Sequence, residues 1–459
     1  MEDLQPYPSI KDSGLLGIGS IPSHWSQGPG FAYLREKQVK NIGLQEKTVL
    51  SLSYGRIIIK PEDKLHGLVP ESFETYQIVE PGDIIIRSTD LQNDKTSLRV
   101  GKVKNRGIIT SAYMCMMTSG TLLPEYGYLL LHTLDITKVL YGLGSGLRQN
   151  LDYSDFKRLP LFAPPPDEQA AIVRFLNHAN LRIEKAIRAK RKVITLLNEQ
   201  KQVIIHRAVT RGLDPNVKLK PSGIPWLGEI PEHWEVRRNG YLFNERIERG
   251  RSGLPVLIVS LRTGVTIGNE TNDAGRERRL IADVTSYKLA CEGDIAYNMM
   301  RMWQGAVGTV PIQGLVSPAY VVARPMEGVC SQYYELLFRT EACKGEINRN
   351  SRGIVSDRNR LYWDDFKRLM SPLPPHDEQT QIVEHLKQEF FEMDSSIKCT
   401  EREIDLLREY RTRLISDVVT GKLDVRQAAA GLPDEVDELE AIDTDSGELD
   451  DVDGVEDDV

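Results

Sequence analysis

Apolar residues recur at seven-residue spacing in two stretches of about 40 residues that contain neither glycine nor proline. Each stretch follows a proline-rich segment and opens with acidic residues, Asp167-Glu168 and Asp377-Glu378, which suit the exposed amides and the positive dipole of a helix start. The pattern predicts two long helices, over residues 164–213 and 374–425. Their repeating apolar positions are Ile172, Leu176, Ala179, Ile183, Ala186, Val193, Leu197 and Ile204 in the first, and Val383, Leu386, Phe390, Met393, Ile397, Ile404, Leu407, Leu414 and Val418 in the second.

Four polar residues, Lys190, Gln200, Thr400 and Arg411, interrupt these apolar stripes and favour one specific pairing of the helices. Each helix would be roughly 60 Å long at 1.5 Å per residue, so the two can bury their stripes on each other. The first helix must deliver the chain to a second domain, and the second helix must run back if it is to pair. We therefore expect an antiparallel, coiled-coil-like pair with a globular domain at each end.

The remaining sequence shows no long helical periodicity and contains short β-rich runs between glycines and prolines. Residues 56–59 and 83–86 are typical of strands, and residues 128–134 and 333–340 of short helices. The fold class predicted is α+β, with two mixed globular domains in a pseudo-twofold arrangement. Residues 1–163 would form the first domain and residues 214–373 the second.

The chain is internally duplicated with an offset of 210 residues. Asp155-Phe-Lys-Arg-Leu159 returns as Asp365-Phe-Lys-Arg-Leu369, and 13 of 24 positions are identical between residues 153–176 and 363–386. An Ile-Pro-x-His-Trp element ending at Trp25 returns at Trp234, and Gly-Asp-Ile runs recur near the middle of each domain. A period this long indicates a duplicated domain, since solenoid repeats span roughly 20 to 50 residues.

Charge is divided unevenly along the 459 residues. The net charge is −8, but residues 434–459 hold 14 acidic and no basic residues, which leaves residues 1–433 with 58 basic against 52 acidic groups, or +6. We expect residues 426–459 to be a disordered acidic tail, either a solubilising appendage or a mimic of nucleic acid. No apolar run is long enough to span a bilayer, and the start of the chain does not resemble a signal peptide, so a cytoplasmic protein without membrane contact is expected.

Catalytic motifs for nucleotide, metal or methyl-transfer chemistry are absent from the sequence. The five cysteines are scattered, which predicts neither a disulfide framework nor a zinc site. His24 and His233 recur beside tryptophans, either as ligands or as satisfied side chains of a packed turn. These features favour a non-catalytic binding protein with no cofactor and no metal of its own.

Polar residues suited to DNA cluster at equivalent places in both copies, after the Gly-Asp-Ile runs and before the Asp-Phe-Lys-Arg elements. Arginine can donate twice to guanine, and asparagine or glutamine can pair with adenine, although each residue could equally be a solvated surface group. The candidate DNA-binding residues are Arg87, Lys95, Arg99, Arg148, Gln149 and Asn150 in the first copy, and Arg301, Gln304, Arg352, Arg358 and Asn359 in the second.

Over residues 13–425 the chain resembles the specificity subunit of type I restriction-modification systems. The paired D-F-K-R-L and P-P-x-D-E-Q-x-x-I-V-x-x-L elements carry this resemblance most specifically. It implies two target-recognition domains that each read half of a split sequence in double-stranded DNA, and helices that act as a spacer and bind two methyltransferase subunits. The identity at the helix starts suits a repeated docking surface, for which the candidates are Asp167, Glu168, Gln169, Ile172, Asp377, Glu378, Gln379 and Ile382.

The same resemblance implies that motor-nuclease subunits join the complex. The assembly would then methylate adenine in DNA and cleave unmodified DNA with ATP, while S-adenosylmethionine, ATP and Mg²⁺ would be bound by the partners. Two alternatives stay open: a recognition chain with its own methyltransferase or nuclease activity, and a coiled-coil adaptor that binds only proteins.

Overall fold

A computed structural model describes residues 4–61, 72–91, 97–143, 150–268, 286–353 and 359–433. The chain divides into two compact units. Unit 1 comprises residues 1–190 and 402–459, and unit 2 comprises residues 191–401. Each unit therefore combines one copy of the globular repeat with a segment of each long helix.

The strands of unit 1 are short and mostly buried on at least one side. They are β1 (Ile10–Asp12), β2 (Ser20–Pro22), β3 (Ser26–Pro29), β4 (Leu34–Lys37), β5 (Leu50–Ser53), β6 (Arg56–Ile59), β7 (Gln77–Val79), β8 (Ile84–Ile86), β9 (Val100–Lys102), β10 (Gly107–Ile109), β11 (Met114–Thr118) and β12 (Pro160–Ala163). β6 has the predicted bounds, and β8 begins one residue later than predicted because Asp83 belongs to the preceding turn.

Unit 2 contains a matching series of strands. They are β13 (Leu219–Pro221), β14 (Glu229–Pro231), β15 (Glu235–Arg238), β16 (Phe243–Glu245), β17 (Leu257–Ser260), β18 (Gly264–Ile267), β19 (Lys288–Ala290), β20 (Ile295–Asn298), β21 (Val307–Thr309), β22 (Gly314–Val316), β23 (Tyr320–Pro325) and β24 (Met370–Leu373).

Helices of very different lengths accompany these strands. They are α1 (Pro124–Ile136), α2 (Tyr153–Arg158), α3 (Pro166–Arg211), α4 (Ser331–Phe338), α5 (Glu341–Asn350), α6 (Trp363–Phe366), α7 (His376–Val419) and α8 (Arg426–Ala430). Short 3-10 helices lie at Gly30–Ala32, Phe73–Thr75, Val139–Gly142, Asn239–Tyr241 and Met302–Gln304. The two long helices, α3 with 46 residues and α7 with 44, lie where the apolar periodicity predicted them.

The sheets of the two units have the same topology. A four-stranded antiparallel sheet has the order β4-β11-β8-β9 in unit 1 and β16-β23-β20-β21 in unit 2. The two-stranded sheets correspond as well, β1-β2 to β13-β14, β5-β6 to β17-β18, β10-β7 to β22-β19 and β12-β3 to β24-β15. The two units therefore share one strand topology, and the mixed α+β character is confirmed.

The recurring Gly-Asp-Ile run is a structural element in both units. Asp83 accepts a hydrogen bond from the backbone N of Glu80 (2.8 Å) and forms an ion pair with Lys37 (2.5 Å). Asp294 accepts from the backbone N of Cys291 (2.8 Å) and from Arg246 (2.7 Å). Both carboxylates are buried, and a basic partner, Lys37 at the end of β4 or Arg246 just after β16, compensates for their lost hydration.

The expectation that the disordered tail starts at residue 426 is wrong. Residues 426–430 form α8, and Val425 and Ala429 are fully buried in the core of unit 1. The backbone N of Asp424 donates to the carbonyl of Gln5 (2.8 Å), which ties this segment to the N-terminal residues. Ala429 and Val425 pack into this core together with the partly buried Leu423, Ala428 and Leu432. Residues 434–459 lie outside the described residues.

Candidate nucleic-acid interface

The two loop clusters predicted to contact DNA lie side by side in each unit. In unit 1 the backbone N of Leu151, just before α2, donates to the carbonyl of Ser88, just after β8 (2.8 Å). In unit 2 the backbone N of Leu361, just before α6, donates to the carbonyl of Met299, just after β20 (2.9 Å). One hydrogen bond at equivalent positions thus joins residues that are about 60 apart in sequence into one surface per unit.

The buried side chain of Arg99 stabilises the loop after β8 by hydrogen bonds to its backbone. Its side chain is fully buried and donates to the carbonyl oxygens of Arg87 (3.3 Å), Thr89 (2.7 Å) and Asp90 (3.0 Å), and to the hydroxyl of Tyr141 (3.2 Å). The prediction that Arg99 contacts DNA is therefore wrong. Its donors are used inside the fold, since a buried guanidinium requires such partners.

The same loop is fastened at two further points. The backbone N of Arg99 donates to the carboxylate of Asp135 in α1 (2.6 Å), and burial raises the pKa of this carboxyl group above its usual range. Asp90 has a positive φ of 61°, and its backbone N donates to Oδ1 of Asn150 (3.0 Å). Asn150 is exposed at the predicted surface, and its side chain also fixes the backbone of the loop at Asp90.

Of the other predicted residues of unit 1, Arg87 is half-buried at the start of this loop. Lys95, Arg148 and Gln149 lie outside the described residues. Unit 1 thus brings Arg87 and Asn150 to one surface.

In unit 2 a compact turn takes the place of the buried arginine. The carbonyl of Arg301 accepts from the backbone N of Gln304 (3.0 Å) and of Ala306 (3.1 Å), and Gly305 closes the turn with a φ of 99°. The side chain of Gln304 is exposed and that of Arg301 is half-buried. The two units therefore build equivalent loops by different means.

The second cluster of unit 2 is held by a small hairpin. Arg352 and Arg360 exchange two backbone hydrogen bonds of 2.9 Å, and the side chain of Arg352 pairs with Asp365 in α6 (2.6 Å) while remaining 64% exposed. Asn359 donates to the side chain of Asn348 (2.7 Å). Arg358 lies outside the described residues. Because Arg352 is so exposed, it can exchange its carboxylate for a phosphate or a base edge.

The start of α3 is fastened inside unit 1 by Glu168. Its carboxylate is 5% exposed and accepts from the Tyr7 hydroxyl (2.5 Å), from Nε1 of Trp25 (2.8 Å) and from Nε2 of His24 (2.8 Å). Burial and the Glu168 carboxylate raise the pKa of Tyr7 well above its usual range, so the hydroxyl stays a donor. The contact joins the N-terminal residues, the Ile-Pro-x-His-Trp element and the helix start.

Unit 2 repeats this contact at the start of α7. Glu378 accepts from Nε2 of His233 (2.8 Å) and from Nε1 of Trp234 (3.0 Å). The two most conspicuous repeated motifs therefore bind each other in both units. His24 and His233 are satisfied side chains of packed turns, and no cluster of metal-binding side chains exists among the described residues.

The glutamine that follows each glutamate holds the loop before α1 in unit 1 and the loop before α4 in unit 2. Nε2 of Gln169 donates to the carbonyls of Thr121 (2.9 Å) and Pro164 (2.8 Å), while its Oε1 accepts from the backbone N of Leu123 (2.8 Å). Gln379 makes the equivalent contacts, and its donor bonds measure 3.1 and 2.8 Å.

These contacts correct the predicted docking surface. Four of its residues, Gln169, Ile172, Gln379 and Ile382, are fully buried, and Glu168 is nearly so, while Glu378 is half-buried. Only Asp167 and Asp377 are exposed. The identity between the two helix starts is therefore explained by internal packing. A signal was present in the sequence, since the glutamate recurs together with histidine and tryptophan at a nearly constant separation.

The far ends of the long helices are held by equivalent tyrosines. In unit 1 the hydroxyl of Tyr126 donates to the carbonyl of Val419 (3.1 Å), and in unit 2 that of Tyr333 donates to the carbonyl of Val209 (2.7 Å). Each helix then ends at a glycine of positive φ, Gly421 (71°) or Gly212 (74°). A Cβ on Gly421 would come within 2.2 Å of Pro22, so this close approach requires glycine.

Two of the polar residues that interrupt the apolar stripes form ion pairs between the helix segments. In unit 1 Lys190 pairs with Glu403 (2.6 Å), and Glu184 pairs with Arg411. Residue numbers rise along α3 as they fall along α7, so the segments run antiparallel. In unit 2 Lys201 pairs with Asp394 (2.5 Å). Within each unit these ion pairs fit one antiparallel register of the helix segments.

Three solved structures are similar to this chain. One of them belongs to work on the structural basis of complex assembly and conformational transition of the type I R-M system. Its TM-score is 0.59 at 14% sequence identity, and the similarity covers 88% of this chain and 99% of that chain. This chain has the fold of that type I R-M chain. No protein-family model and no curated protein sequence matches it.

Two further structures are similar at lower scores. The HsdS subunit from Thermoanaerobacter tengcongensis has a TM-score of 0.42 at 14% identity, covering 88% of this chain and 98% of that chain. The type I restriction-modification system S subunit from M. genitalium has a TM-score of 0.32 at 12% identity, covering 90% of this chain and 99% of that chain. Within the described part of this chain, no helix is both long and apolar enough to cross a lipid bilayer.

Proposed function

We propose that this chain is the DNA-binding specificity subunit of a type I restriction-modification complex and is not itself catalytic. Each unit would read one half of a bipartite site in double-stranded DNA through the loops after β8 and β20 and the segments before α2 and α6. The observation that carries the proposal is the equivalent joining of these loops in both units, at Ser88 and Leu151 and at Met299 and Leu361.

The chemistry of these two surfaces supports the proposal. The scaffold is the same in both units, while the side chains on it differ, with Asn150 in unit 1 and Arg301, Gln304 and Arg352 in unit 2. Two readers of unlike half-sites need this combination, because base edges are read by side chains and not by the scaffold.

The long helices would set the distance between the half-sites and bind two methyltransferase subunits, to which motor-nuclease subunits would be added. S-adenosylmethionine, ATP and Mg²⁺ would be bound by those partners, in the cytoplasm. Because the helix starts are internally packed, docking would use exposed apolar side chains further along α3 and α7. Candidates are Val193, Leu196, Val203, Phe391 and Leu406, whose exposed fractions are 48, 53, 68, 75 and 53%.

The direct test is to map methylated positions in DNA from cells that carry this chain with its methyltransferase partner. We expect one asymmetric split motif, absent when the chain is deleted. Purified chain with labelled S-adenosylmethionine and DNA should transfer no methyl group. Transfer without partners would overturn the non-catalytic assignment, and absence of DNA binding by the assembled complex at low salt would favour a protein adaptor.

Substitution of single residues tests the assignment of each unit. Arg301→Ala and Gln304→Ala should weaken discrimination at the half-site read by unit 2, by about 1–3 kcal/mol for each base that the side chain no longer reads, and leave the other half-site unchanged. Arg413→Ala is a matched control, because Arg413 is a highly exposed arginine of α7. Equal effects of Arg301→Ala and Arg413→Ala on both half-sites would contradict the assignment.

The role of the helices as a spacer can be tested by insertion. Seven residues inserted between residues 190 and 191, and seven more between residues 401 and 402, add about two turns to both helices, or roughly 10.5 Å. At about 3.4 Å per base pair, the gap between the half-sites should lengthen by about three base pairs, with both half-sites unchanged. An unchanged gap in a folded variant would refute the spacer role.

A further inference from the structure

Unit 1 contains an apolar groove that the DNA-reading surfaces do not use. It lies along α3 between Phe175 and Ala186, is bordered by Leu407 and Tyr410 of α7 and by Leu432 beyond α8, and has a cavity volume of about 440 Å³. His178 and Arg182 also line it, and Arg182 is exposed. The groove therefore has an apolar floor and basic groups at its edge.

The duplication breaks down at this groove. At the 210-residue offset, Phe175 corresponds to His385, Ala179 to Glu389, Arg182 to Glu392 and Ala186 to Ser396. In unit 2 His385 and Glu389 form an exposed ion pair (3.2 Å). His178 corresponds to Gln388, and Ile183 keeps its apolar character as Met393. Unit 2 therefore has polar or acidic side chains at four positions where the groove of unit 1 has two alanines, a phenylalanine and an arginine.

The described chain leads directly to the groove. Leu432 lines it, and the carbonyl of Pro433 accepts a hydrogen bond from Nε2 of His178 (3.0 Å). One turn earlier, Arg174 donates to the carbonyl of Ala429 (3.4 Å). The last described residue, Pro433, therefore lies at the edge of the groove.

The sequence that follows is complementary to the groove. Residues 434–443 contain six acidic residues and no basic residue, with Val436, Leu439 and Ile442 spaced three apart. In a helical conformation these three side chains share one face. Ten residues would span about 15 Å, and the groove from Phe175 to Ala186 follows α3 for about 16 Å at 1.5 Å per residue.

We propose that residues 434–443 bind back into this groove. Val436, Leu439 and Ile442 cover the apolar floor, and the acidic residues between them face His178 and Arg182. Since the chain enters beside His178 and runs towards Ala186, Ile442 lies near Ala186. The acidic tail thus provides the occupant of a surface that would otherwise be open to a partner, and this assignment does not depend on DNA binding.

Disulfide trapping in the full chain tests the proposal. A variant with Ala186→Cys and Ile442→Cys is made in a Cys399→Ser background, which removes an exposed thiol; the other cysteines are buried or half-buried. We expect intramolecular disulfide formation whose rate does not depend on protein concentration. A matched variant with Ala186→Cys and Val452→Cys places the thiol outside the binding segment, and it should react about tenfold more slowly.

A second measurement tests whether trapping depends on the apolar side chains of the segment or only on its covalent attachment next to the groove. Val436→Asp with Leu439→Asp in the Ile442→Cys variant should slow trapping about tenfold, because the aspartates cannot cover the apolar floor. These changes lie beyond the described core, and circular dichroism should show an unchanged melting temperature. Equal trapping at positions 442 and 452, or insensitivity to the aspartates, would overturn the proposal. Disulfides that form only between chains, in proportion to concentration, would instead identify a second copy as the occupant and also overturn it.

Discussion

Replacing Glu168 with alanine should destabilise unit 1 selectively. The carboxylate is 5% exposed and satisfies two buried donors, the Tyr7 hydroxyl and Nε1 of Trp25, besides the partly exposed His24. A buried donor left without a partner costs about 1–3 kcal/mol, so the loss of both partners in Glu168→Ala should lower the free energy of unfolding of unit 1 by about 2–6 kcal/mol. The exposed His24 contact adds little to this figure.

Two matched variants calibrate the effect. Glu378 is 25% exposed and accepts from one buried donor, Trp234, and from the exposed His233. Glu378→Ala should therefore destabilise unit 2 by only about 1–3 kcal/mol. Asp167 is exposed on the same first turn as Glu168, so Asp167→Ala should remove only a helix-dipole contribution of about 0.3–1 kcal/mol.

Hydrogen–deuterium exchange with mass spectrometry can follow the two units separately, since their peptides differ in mass. In Glu168→Ala we expect amides of β8 and α1 to exchange at least about 25-fold faster, because each 1.4 kcal/mol corresponds to tenfold in the opening equilibrium. Amides of β20 and α4 should change much less. If Asp167→Ala accelerates exchange as much as Glu168→Ala does, the buried hydrogen bonds are not what fastens the helix start, and the reasoning fails.

The other predictions concern the readout loop, acid stability and the helix ends. Arg99→Ala should weaken binding of the half-site read by unit 1 by about tenfold or more in the assembled complex. Arg99→Lys should do the same, because lysine cannot reach three carbonyls at once. Equal weakening at both half-sites would contradict this prediction. Burial, with help from Arg411, lowers the pKa of His132 from 6.5 to about 4. Between pH 6.5 and about pH 4 the imidazole of His132 is protonated in the unfolded state but not in the folded state. The free energy of unfolding should therefore fall by roughly 3 kcal/mol as the pH is lowered through this range. In His132→Asn, the midpoint of urea unfolding should depend less on pH over the same range. Tyr126→Phe and Tyr333→Phe should each lower the free energy of unfolding by about 1–2 kcal/mol in urea titrations, and their effects should add, since they share no partner.

Sequence patterns predicted the elements and the duplication well because both depend on local, periodic properties. Seven-residue apolar spacing located α3 and α7 to within a few residues, and Lys190 and Arg411 were recognised as departures that specify pairing. The recurrence of polar residues after β8 and before α2 was predicted in the same way, but not that the two loops are adjacent, because their hydrogen bond joins residues far apart in the sequence. Each of these features is encoded in residue type and spacing alone.

The assignments that failed depend on burial. Arg99 and Asn150 are both polar loop residues in the sequence, and only the fold shows that one donates to three buried carbonyls while the other is exposed. Glu168 and Gln169 looked like a repeated docking surface, since identity between copies does not distinguish a shared partner from a shared internal contact. The helix α8 was missed because a five-residue alanine-rich turn has no periodicity to detect.

Unit 1 is discontinuous in sequence, whereas unit 2 is a single segment, residues 191–401. The core of unit 1 includes Leu414, Val418 and Val425 packed with Ile172 and Leu176. During synthesis on the ribosome, unit 2 can bury its core once residue 401 has emerged, but the earlier-made residues of unit 1 must wait for residues 402–433. The half of the protein that is translated first is therefore the half that finishes folding last, and in the interval its exposed apolar surface is a target for chaperones.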